Sequence, residues 1–129
     1  MDEVWKTVKG HENYAVSDQG NVRSKPRVIL KKTKYGTVME QRHRGGLLLP
    51  REDRYGYQVI RFHSKTDDGV KAQVHRMVAE AFLEHEDGKD YIIHKNYDKK
   101  DNRAVNLQYV THDECVLHWW LHDQEYEEE

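Results

Sequence analysis

Apolar and smaller or polar residues alternate near the start of the chain, at the spacing of a β-strand. Tyr14 and Val16 alternate with smaller residues, and Val22 begins a second short segment of the same kind. Between the two segments, residues 18–21 read Asp-Gln-Gly-Asn, which is typical of a turn. Residues 13–24 are therefore predicted to form a β-hairpin.

The segment after this hairpin contains short apolar runs separated by basic residues. Residues 28–30 and 47–49 are apolar and could each form a short strand. Residues 31–46 contain glycines, much charge and little that could enter a core. We expect this basic stretch to be a mobile loop or the tip of a long ribbon.

The middle of the chain changes from strand spacing to helical spacing. Residues 56–63 predict a strand, 66–69 a turn and 70–74 the returning strand. The next apolar residues recur at i, i+3, i+4, i+7 and i+8, which predicts a helix of nine or ten residues with one apolar face. The residues of this stripe are Val74, Met77, Val78, Ala81 and Phe82.

The last third of the chain predicts two strands and a helix. Residues 91–94 and 106–110 have strand character, and a polar loop of eleven residues, 95–105, joins them. Thr111 with Glu114 three positions later forms a capping box, which marks the start of a helix. We expect this helix to end at about residue 122, where an acidic tail begins.

Composition limits the possible classes of protein. The chain has 129 residues, which suits one domain with at most a small appendage. No apolar run approaches the roughly 20 residues that span a bilayer, and the N-terminus lacks the features of a secretory signal. Cys115 is the only cysteine, so no internal disulfide can form. We expect a cytoplasmic protein that has no membrane partner.

Charge is strongly segregated along the chain although the net charge is only −2. Residues 25–55 contain nine Lys or Arg and three Asp or Glu, a local balance of +6. Residues 113–129 contain seven Asp or Glu and no Lys or Arg, a balance of −7. This asymmetry indicates a basic surface for a polyanion and an acidic end that opposes it, unless both are simply solvated surfaces.

Three segments of the sequence resemble a known family. Residues 75–82, HRMVAEAF, resemble the HRLVAxAF helix of phage HNH homing endonucleases. Residues 94–111 resemble the run of histidine, asparagines and strand residues that follows this helix in the family. Residues 5–24 resemble the small module that commonly precedes the HNH domain.

The resemblance implies an α+β fold in which a β-rich N-terminal module precedes an HNH ββα-metal domain. We expect the module with its basic loop at residues 1–55, the HNH-like domain at 56–122 and the acidic tail at 123–129. If a phage encodes the chain, its location would be the cytoplasm of a bacterial host cell.

The resemblance also implies candidate catalytic residues. In the family, a histidine on the first strand activates water for phosphodiester hydrolysis, because imidazole titrates near neutrality. A divalent ion neutralises charge on the scissile phosphate. By resemblance, His94 is the base, Asn106 braces the loop, and His118 matches the end of the motif. An active protein would need a divalent metal, magnesium or zinc, and an inactive one could need none.

The sequence departs from the family where the metal ligands should be. The family places Asp or Asn before the base and Asn or His on the helix. Here these positions are Ile93, which has no donor atom, and Cys115, a soft thiol unsuited to magnesium. The Asp-Gly turn of the family is replaced by Asn96 and Tyr97. We therefore expect weak or no magnesium binding at His94.

The second helix offers a different metal hypothesis. Cys115, His118 and His122 fall on one helical face, with His112 one turn earlier. Together with His94, such a face could hold zinc in tetrahedral coordination. The alternative is that these side chains are partly buried packing residues of the helix.

Two surfaces are candidates for macromolecular partners. Seven basic residues could contact the phosphates of duplex DNA: Lys31, Lys32, Lys34, Arg42, Arg44, Arg51 and Arg54. Five residues near the C-terminus could instead hold a basic nucleic-acid-binding protein: Trp119, Trp120, Glu125, Glu127 and Glu128. Because adjacent helical residues point in different directions, we expect one tryptophan to pack inward and the other to be exposed.

Two functions of different classes follow from these features. One is an HNH-type DNA-binding endonuclease with His94 as the general base. The other is a catalytically inactive, HNH-derived protein that binds and inhibits a nucleic-acid enzyme or a host defence complex. Ile93 and Cys115 favour the second, whereas His94, Asn106 and the basic stretch favour the first.

Overall fold

The computed structural model describes residues 3–62 and 69–127, except for the side chains of Arg27, Ile29, His43 and residues 124–127. The described part is a mixed α+β fold made mostly of strands, as the sequence predicts. The strands are β1 (Trp5–Val8), β2 (His11–Ser17), β3 (Val22–Ser24), β4 (Arg27–Lys32), β5 (Val38–His43), β6 (Gly46–Leu48), β7 (Arg51–Glu52), β8 (Gln58–Phe62), β9 (Val70–Gln73), β10 (Tyr91–His94) and β11 (Leu107–Val110). The helices are α1 (Val74–Phe82) and α2 (His112–Glu127), with a 3₁₀ turn at Ala104–Asn106.

The strands pair into four small antiparallel sheets. One has four strands in the order β1-β2-β3-β6, and another has three in the order β7-β8-β9. The pairs β4–β5 and β10–β11 form two-stranded ribbons. The pairs β1–β2, β2–β3 and β4–β5 are joined by short turns, which antiparallel pairing allows. By contrast, the β4–β5 ribbon is inserted between β3 and β6, and residues 95–106 separate β10 from β11.

The predicted N-terminal hairpin is confirmed as β2 and β3. Val16 pairs with Val22 and Tyr14 with Ser24. In the turn, the Ser17 N–H donates to the Asn21 carbonyl oxygen at 2.8 Å. This turn also touches the loop between β10 and β11, which is important for the site described below.

The basic stretch forms the ribbon and not the mobile loop, so the ribbon alternative is confirmed. Pairing runs from Arg27 opposite His43 to Lys32 opposite Val38. The tip closes where the Thr33 N–H donates to the Thr37 carbonyl oxygen at 2.7 Å. Its described side chains are nearly all exposed, and no other element packs extensively on it.

One hydrophobic core joins the N-terminal sheet, β8, α1 and β11. Phe62 is fully buried and stacks on Tyr14, with ring centroids 4.1 Å apart. The core residues come from both sides of position 55: Val8, Tyr14, Val16, Val22, Ile60, Phe62, Val74, Met77, Val78 and Leu107. The proposed division at residue 55 stays a prediction, but the two parts share this core.

The helical stripe is confirmed in α1. Val74, Met77 and Val78 are buried, and Ala81 and Phe82 pack against the core with partial exposure. The strand and return strand predicted before it correspond to β8 and β9. Most of the predicted turn at 66–69 lies outside the described residues.

The predicted strand–loop–strand–helix unit is confirmed, with one error at its end. The capping box is formed, since the Glu114 N–H donates to Thr111 Oγ1 at 3.2 Å and the Thr111 N–H donates to Glu114 Oε1 at 3.1 Å. The prediction that the helix ends near residue 122 was wrong, because α2 continues to Glu127. The sequence from 112 to 127 contains no Gly or Pro to stop it, and Gln and Glu are good helix formers.

Neither helix in the described ranges is long and apolar enough to cross a membrane.

The shared core can be tested by shortening Phe62. We expect Phe62→Ala to lower the free energy of unfolding by about 3–5 kcal/mol, since a large buried side chain leaves a cavity. Urea denaturation measures this change. As a control, Val105→Ala alters a residue that is 73% exposed and should change stability by less than about 0.5 kcal/mol. Equal effects of the two changes would contradict the core.

Candidate functional site

The loop between β10 and β11 is held in shape by Asn106. Its side-chain amide donates to the side-chain oxygen of Asn96 and to the backbone oxygen of Asp101, both at 2.9 Å. Its side-chain oxygen accepts from the Asn96 N–H at 3.1 Å. These bonds provide the bracing expected of Asn106, and a role in catalysis stays a prediction.

The His94 ring is enclosed at the end of β10. The residue is only 1% exposed, and its Nε2 lies 2.7 Å from Asn102 Oδ1. Because an amide oxygen can only accept, Nε2 is the donor, and Nδ1 keeps the lone pair of the neutral ring. Burial lowers the pKa of His94, and the hydrogen bond with Asn102 partly opposes this effect. The favoured form is thus neutral, as a base requires, but the ring has almost no contact with solvent.

The N-terminal hairpin positions Asn102. The Asp18 carbonyl oxygen accepts from the Ala104 N–H at 2.8 Å, which ties the hairpin turn to the loop. Gly20 has φ +87°, and a Cβ added there would lie 3.1 Å from backbone and side-chain atoms of Asn102. Glycine is therefore required both by the backbone conformation and by the close approach.

Two more aromatic rings surround His94 on the side of α1. The centroid of the His75 ring lies 5.3 Å from that of His94, and the Tyr57 ring lies 4.9 Å from His75. His75 is 6% exposed, and its Nδ1 has no hydrogen-bond partner among the described residues. Burial first, and then the proximity of His94, lowers the pKa of His75 to about 4. His75 is thus a buried neutral imidazole in contact with the candidate base.

Strand alternation places Ile93 and His94 on opposite faces of β10. Ile92 packs against the main core, and the Tyr91 ring contacts the His112 ring at the start of α2. His94 therefore shares the core face of Ile92, and Ile93 shares the α2 face of Tyr91.

His94 contacts its surroundings differently through its ring and through its backbone. The ring contacts of His94 are with His75 and Tyr57. Its link to α2 is the backbone carbonyl oxygen, which lies 3.0 Å from His118 Nε2. His118 thus fixes the end of β10 against α2.

The two positions expected to supply metal ligands do not fit a hard divalent ion. Ile93 is a buried hydrocarbon. Burial raises the pKa of the Cys115 thiol, which keeps this soft donor protonated near neutral pH. Within residues 3–62 and 69–127, no group of three or more His, Cys, Asp or Glu side chains is placed to hold a metal.

Tyr97 separates the histidines of the zinc hypothesis. Its ring stacks on His118 at 4.1 Å and on His122 at 4.2 Å, with interplanar angles of 17° and 18°. Two rings that stack this closely and nearly parallel on Tyr97 must lie on opposite faces of its ring. The tyrosine is therefore inserted between His118 and His122. The arrangement does not support a zinc site of Cys115, His118 and His122, and it favours the packing alternative.

Tyr97 reaches this position through an unusual backbone conformation. Its φ is +65°, the only positive value among non-glycine residues of the described chain. The family has glycine at this turn by resemblance, and glycine adopts positive φ without strain. Here a bulky residue takes the same conformation, and its two stacking contacts compensate for the strain.

The two tryptophans differ in exposure as expected. Trp119 is half-buried, makes an edge contact with Tyr97 and lies 5.1 Å beneath Lys99 Nζ. Trp120 is 54% exposed. Trp119 therefore packs on the loop and is less exposed than Trp120, so the partner hypothesis rests mainly on Trp120. The side chains of Glu125 and Glu127, and all of Glu128, lie outside the described part.

The seven predicted DNA-contacting residues are all exposed but do not form a single surface. Register places Lys32 and Arg42 on one face of the β4–β5 ribbon and Lys31 on the other. Lys34 lies at the tip and Arg44 at the base, whereas the remaining two residues belong to the neighbouring three-stranded sheet region: Arg51 and Arg54.

Sequence reasoning missed the roles of Asn102, His75 and Lys99. Asn102 and His75 lie in the segments that resemble the family, but nothing in the sequence connected either to His94. The available signals were a histidine directly after the first residue of the apolar stripe and an asparagine eight positions after the candidate base. Lys99 joins the loop to the preceding sheet, since its Nζ donates to the Tyr55 carbonyl oxygen at 2.7 Å.

Comparison with known proteins supports the resemblance over most of the chain. Residues 3–63 match the family model described as the NUMOD4 motif, and residues 72–116 match the one described as HNH endonuclease. The uncharacterized HNH endonuclease L247 of Acanthamoeba polyphaga mimivirus is 34% identical over 120 residues, which are 90% of this chain and 26% of that protein.

A solved structure is similar in both fold and sequence. The HNH homing endonuclease I-HmuI, described for DNA binding and cleavage, matches with a TM-score of 0.67 and 30% identity. The match covers 93% of this chain and 59% of that one. The expected α+β fold of HNH type is confirmed, and this chain spans only part of the length of both relatives.

The buried His75 should make stability depend on pH. Its pKa is about 4 in the folded chain and 6.5 without burial. As pH falls from 6.5 toward 4, the unfolded chain takes up a proton that the folded chain excludes. We expect the free energy of unfolding to fall by a few kcal/mol across this window, at about 1.4 kcal/mol per unit of pKa shift.

Denaturant unfolding at a series of pH values measures this loss for the unaltered chain and for His75→Phe. The variant should show a flatter profile between pH 6.5 and 4. His112→Phe is the matched control, because His112 is exposed and its replacement should leave the profile unchanged. Identical profiles for the unaltered chain and His75→Phe would contradict this role of His75.

Proposed function

We propose that this chain, which combines a NUMOD4 motif with an HNH endonuclease domain, binds duplex DNA without the metal-dependent hydrolysis that is typical of HNH endonucleases. The observation that carries the proposal is an exposed basic ribbon attached to an HNH fold. I-HmuI, which resembles the chain over 93% of its length, is described as binding and cleaving DNA. The same class of partner is proposed here, and the cleavage is not.

The β4–β5 ribbon has the charge and shape to contact a duplex. Residues 27–44 contain six Lys or Arg and one Glu, a balance of +5. A two-stranded β-ribbon fits the major groove of B-DNA. Basic side chains on both faces could then approach the phosphates on either side of the groove. Most of the affinity would be electrostatic and independent of sequence.

The absence of suitable donors argues against metal-dependent hydrolysis. HNH endonucleases typically use a divalent metal, whose ligands by resemblance would fall at positions 93 and 115. Ile93 has no donor, and Cys115 is a protonated thiol. His94 would then have a structural role, in which its ring holds Asn102 and hence the loop.

Salt dependence tests the DNA-binding proposal. We expect affinity for a random-sequence duplex to fall steeply with salt, because each phosphate contact releases counterions. Lys32→Gln with Arg42→Gln should weaken binding and reduce the slope of log K against log salt by about 2, roughly 1 for each cation removed. Fluorescence anisotropy at several salt concentrations measures both quantities.

A matched control changes a cation elsewhere on the surface. Lys89 forms an ion pair with Glu86 at 2.9 Å, and Lys89→Gln should leave the slope unchanged. Negligible DNA affinity at low salt would overturn the proposal and favour the alternative of an HNH-derived inhibitor of a nucleic-acid enzyme. An unchanged slope in the double variant would show that the ribbon is not the binding surface.

A further inference from the structure

Helix α2 has a second apolar face that nothing in the described chain covers. Four large side chains on this face are each 45–54% exposed: Val116, Leu117, Trp120 and Leu121. Because successive residues of an α-helix are rotated by about 100° around its axis, these four side chains project from one side of α2. The half-buried Cys115 and His118 project from the opposite side. An exposed apolar patch of adjacent residues indicates an interaction surface.

The ends of this face are acidic. Asp113 and Asp123 are exposed and lie at its two ends, about 15 Å apart along the helix at 1.5 Å per residue. No Lys or Arg occurs in residues 113–129. Pairing of two α2 helices would bring like charges together, so charge favours a basic partner.

The β4–β5 ribbon presents the complementary pattern on one face. Strand register puts Val28, Leu30 and Val38 together there, each 55–63% exposed. Arg42 lies opposite Val28, and Lys32 lies opposite Val38. The two cations are therefore separated by about 13 Å along the strands, close to the separation of the two carboxylates on α2. Glu40 is the acidic residue on this face, in the middle beside Leu30.

The ribbon also needs a covering element for physical reasons. A two-stranded ribbon with both faces in water is only marginally stable, and packing against a helix stabilises it. No helix of the described chain packs extensively on β4 or β5. A helix from outside the chain would bury the apolar face of the ribbon.

We propose that the outer face of α2 docks the β4–β5 ribbon of a second copy of this chain. The apolar residues of the two faces pack together, and Asp113 and Asp123 pair with Lys32 and Arg42. Reciprocal docking gives a symmetric dimer with two such contacts. The ribbon face used is the one that carries Lys32 and Arg42, so self-association and DNA binding compete for the same cations.

Charge reversal tests the docking directly. Sedimentation velocity should show that the molar mass of the unaltered chain rises toward a dimer as concentration increases. Asp113→Lys with Asp123→Lys should weaken association roughly tenfold or more, and so should Lys32→Glu with Arg42→Glu, because each change places like charges in contact. Mixing the two reversed variants should restore a heterodimer, since each altered face then meets an oppositely charged one.

An apolar substitution provides an independent arm with a control. Leu30→Asp should abolish association, whereas Val105→Asp, at a residue 73% exposed elsewhere, should not. Circular dichroism verifies that each variant is folded. All measurements are made without DNA, so a failure of the proposed DNA binding leaves their interpretation unchanged.

Three results would overturn the docking. The unaltered chain could remain monomeric at all concentrations, in which case the outer face of α2 would bind a different protein. Association could depend on α2 but not on the ribbon, as in pairing of two α2 helices. Finally, the reversed variants could each fail to associate and also fail to associate when mixed.

Discussion

The hydrogen bond between His94 and Asn102 connects the parts of the molecule on which the site depends. It ties the end of β10 to the long loop, and Asn106 holds that loop from the other side. The turn of the N-terminal hairpin supports the loop at Asn102, where Gly20 allows the approach. The module and the HNH-like unit are thus joined both at the core and at the site, so a change in either part affects both.

By resemblance, the metal ligands of the family fall at positions 93 and 115, where this chain has packing side chains. Ile93 contributes buried hydrocarbon, Cys115 a neutral thiol, and Tyr97 a ring inserted between His118 and His122. Charged ligands held close together without an ion would cost free energy. Side chains without charge at these positions avoid that cost. The stacking of Tyr97 on His118 and His122 stabilises the packing of the loop against α2.

Local signals in the sequence predicted the elements well. The apolar stripe of α1 and the capping box of α2 depend on residues within one or two turns, and both are present. Turn residues identified the hairpin of β2 and β3 for the same reason. The end of α2 was misplaced, because an acidic composition is not a stop signal where Gly and Pro are absent.

The contacts of the site could be predicted only in part. Asn106 was identified by resemblance, but the direction of the His94 ring depends on which face of β10 meets the core. The contact between His75 and His94 joins a helix to a strand nineteen positions away in the sequence. The insertion of Tyr97 depends on a positive φ that is rare outside glycine. Such non-local packing leaves no periodic signal in the sequence.

Magnesium binding measured by titration calorimetry tests most directly whether the fold is retained while its metal chemistry is lost. The unaltered chain should give no binding heat, because neither Ile93 nor Cys115 offers an oxygen donor. A variant combining Ile93→Asp, Cys115→Asn and Tyr97→Gly should bind one magnesium ion, since the surrounding fold already positions these sites. A tight magnesium site in the unaltered chain that is abolished by His94→Ala would contradict the account.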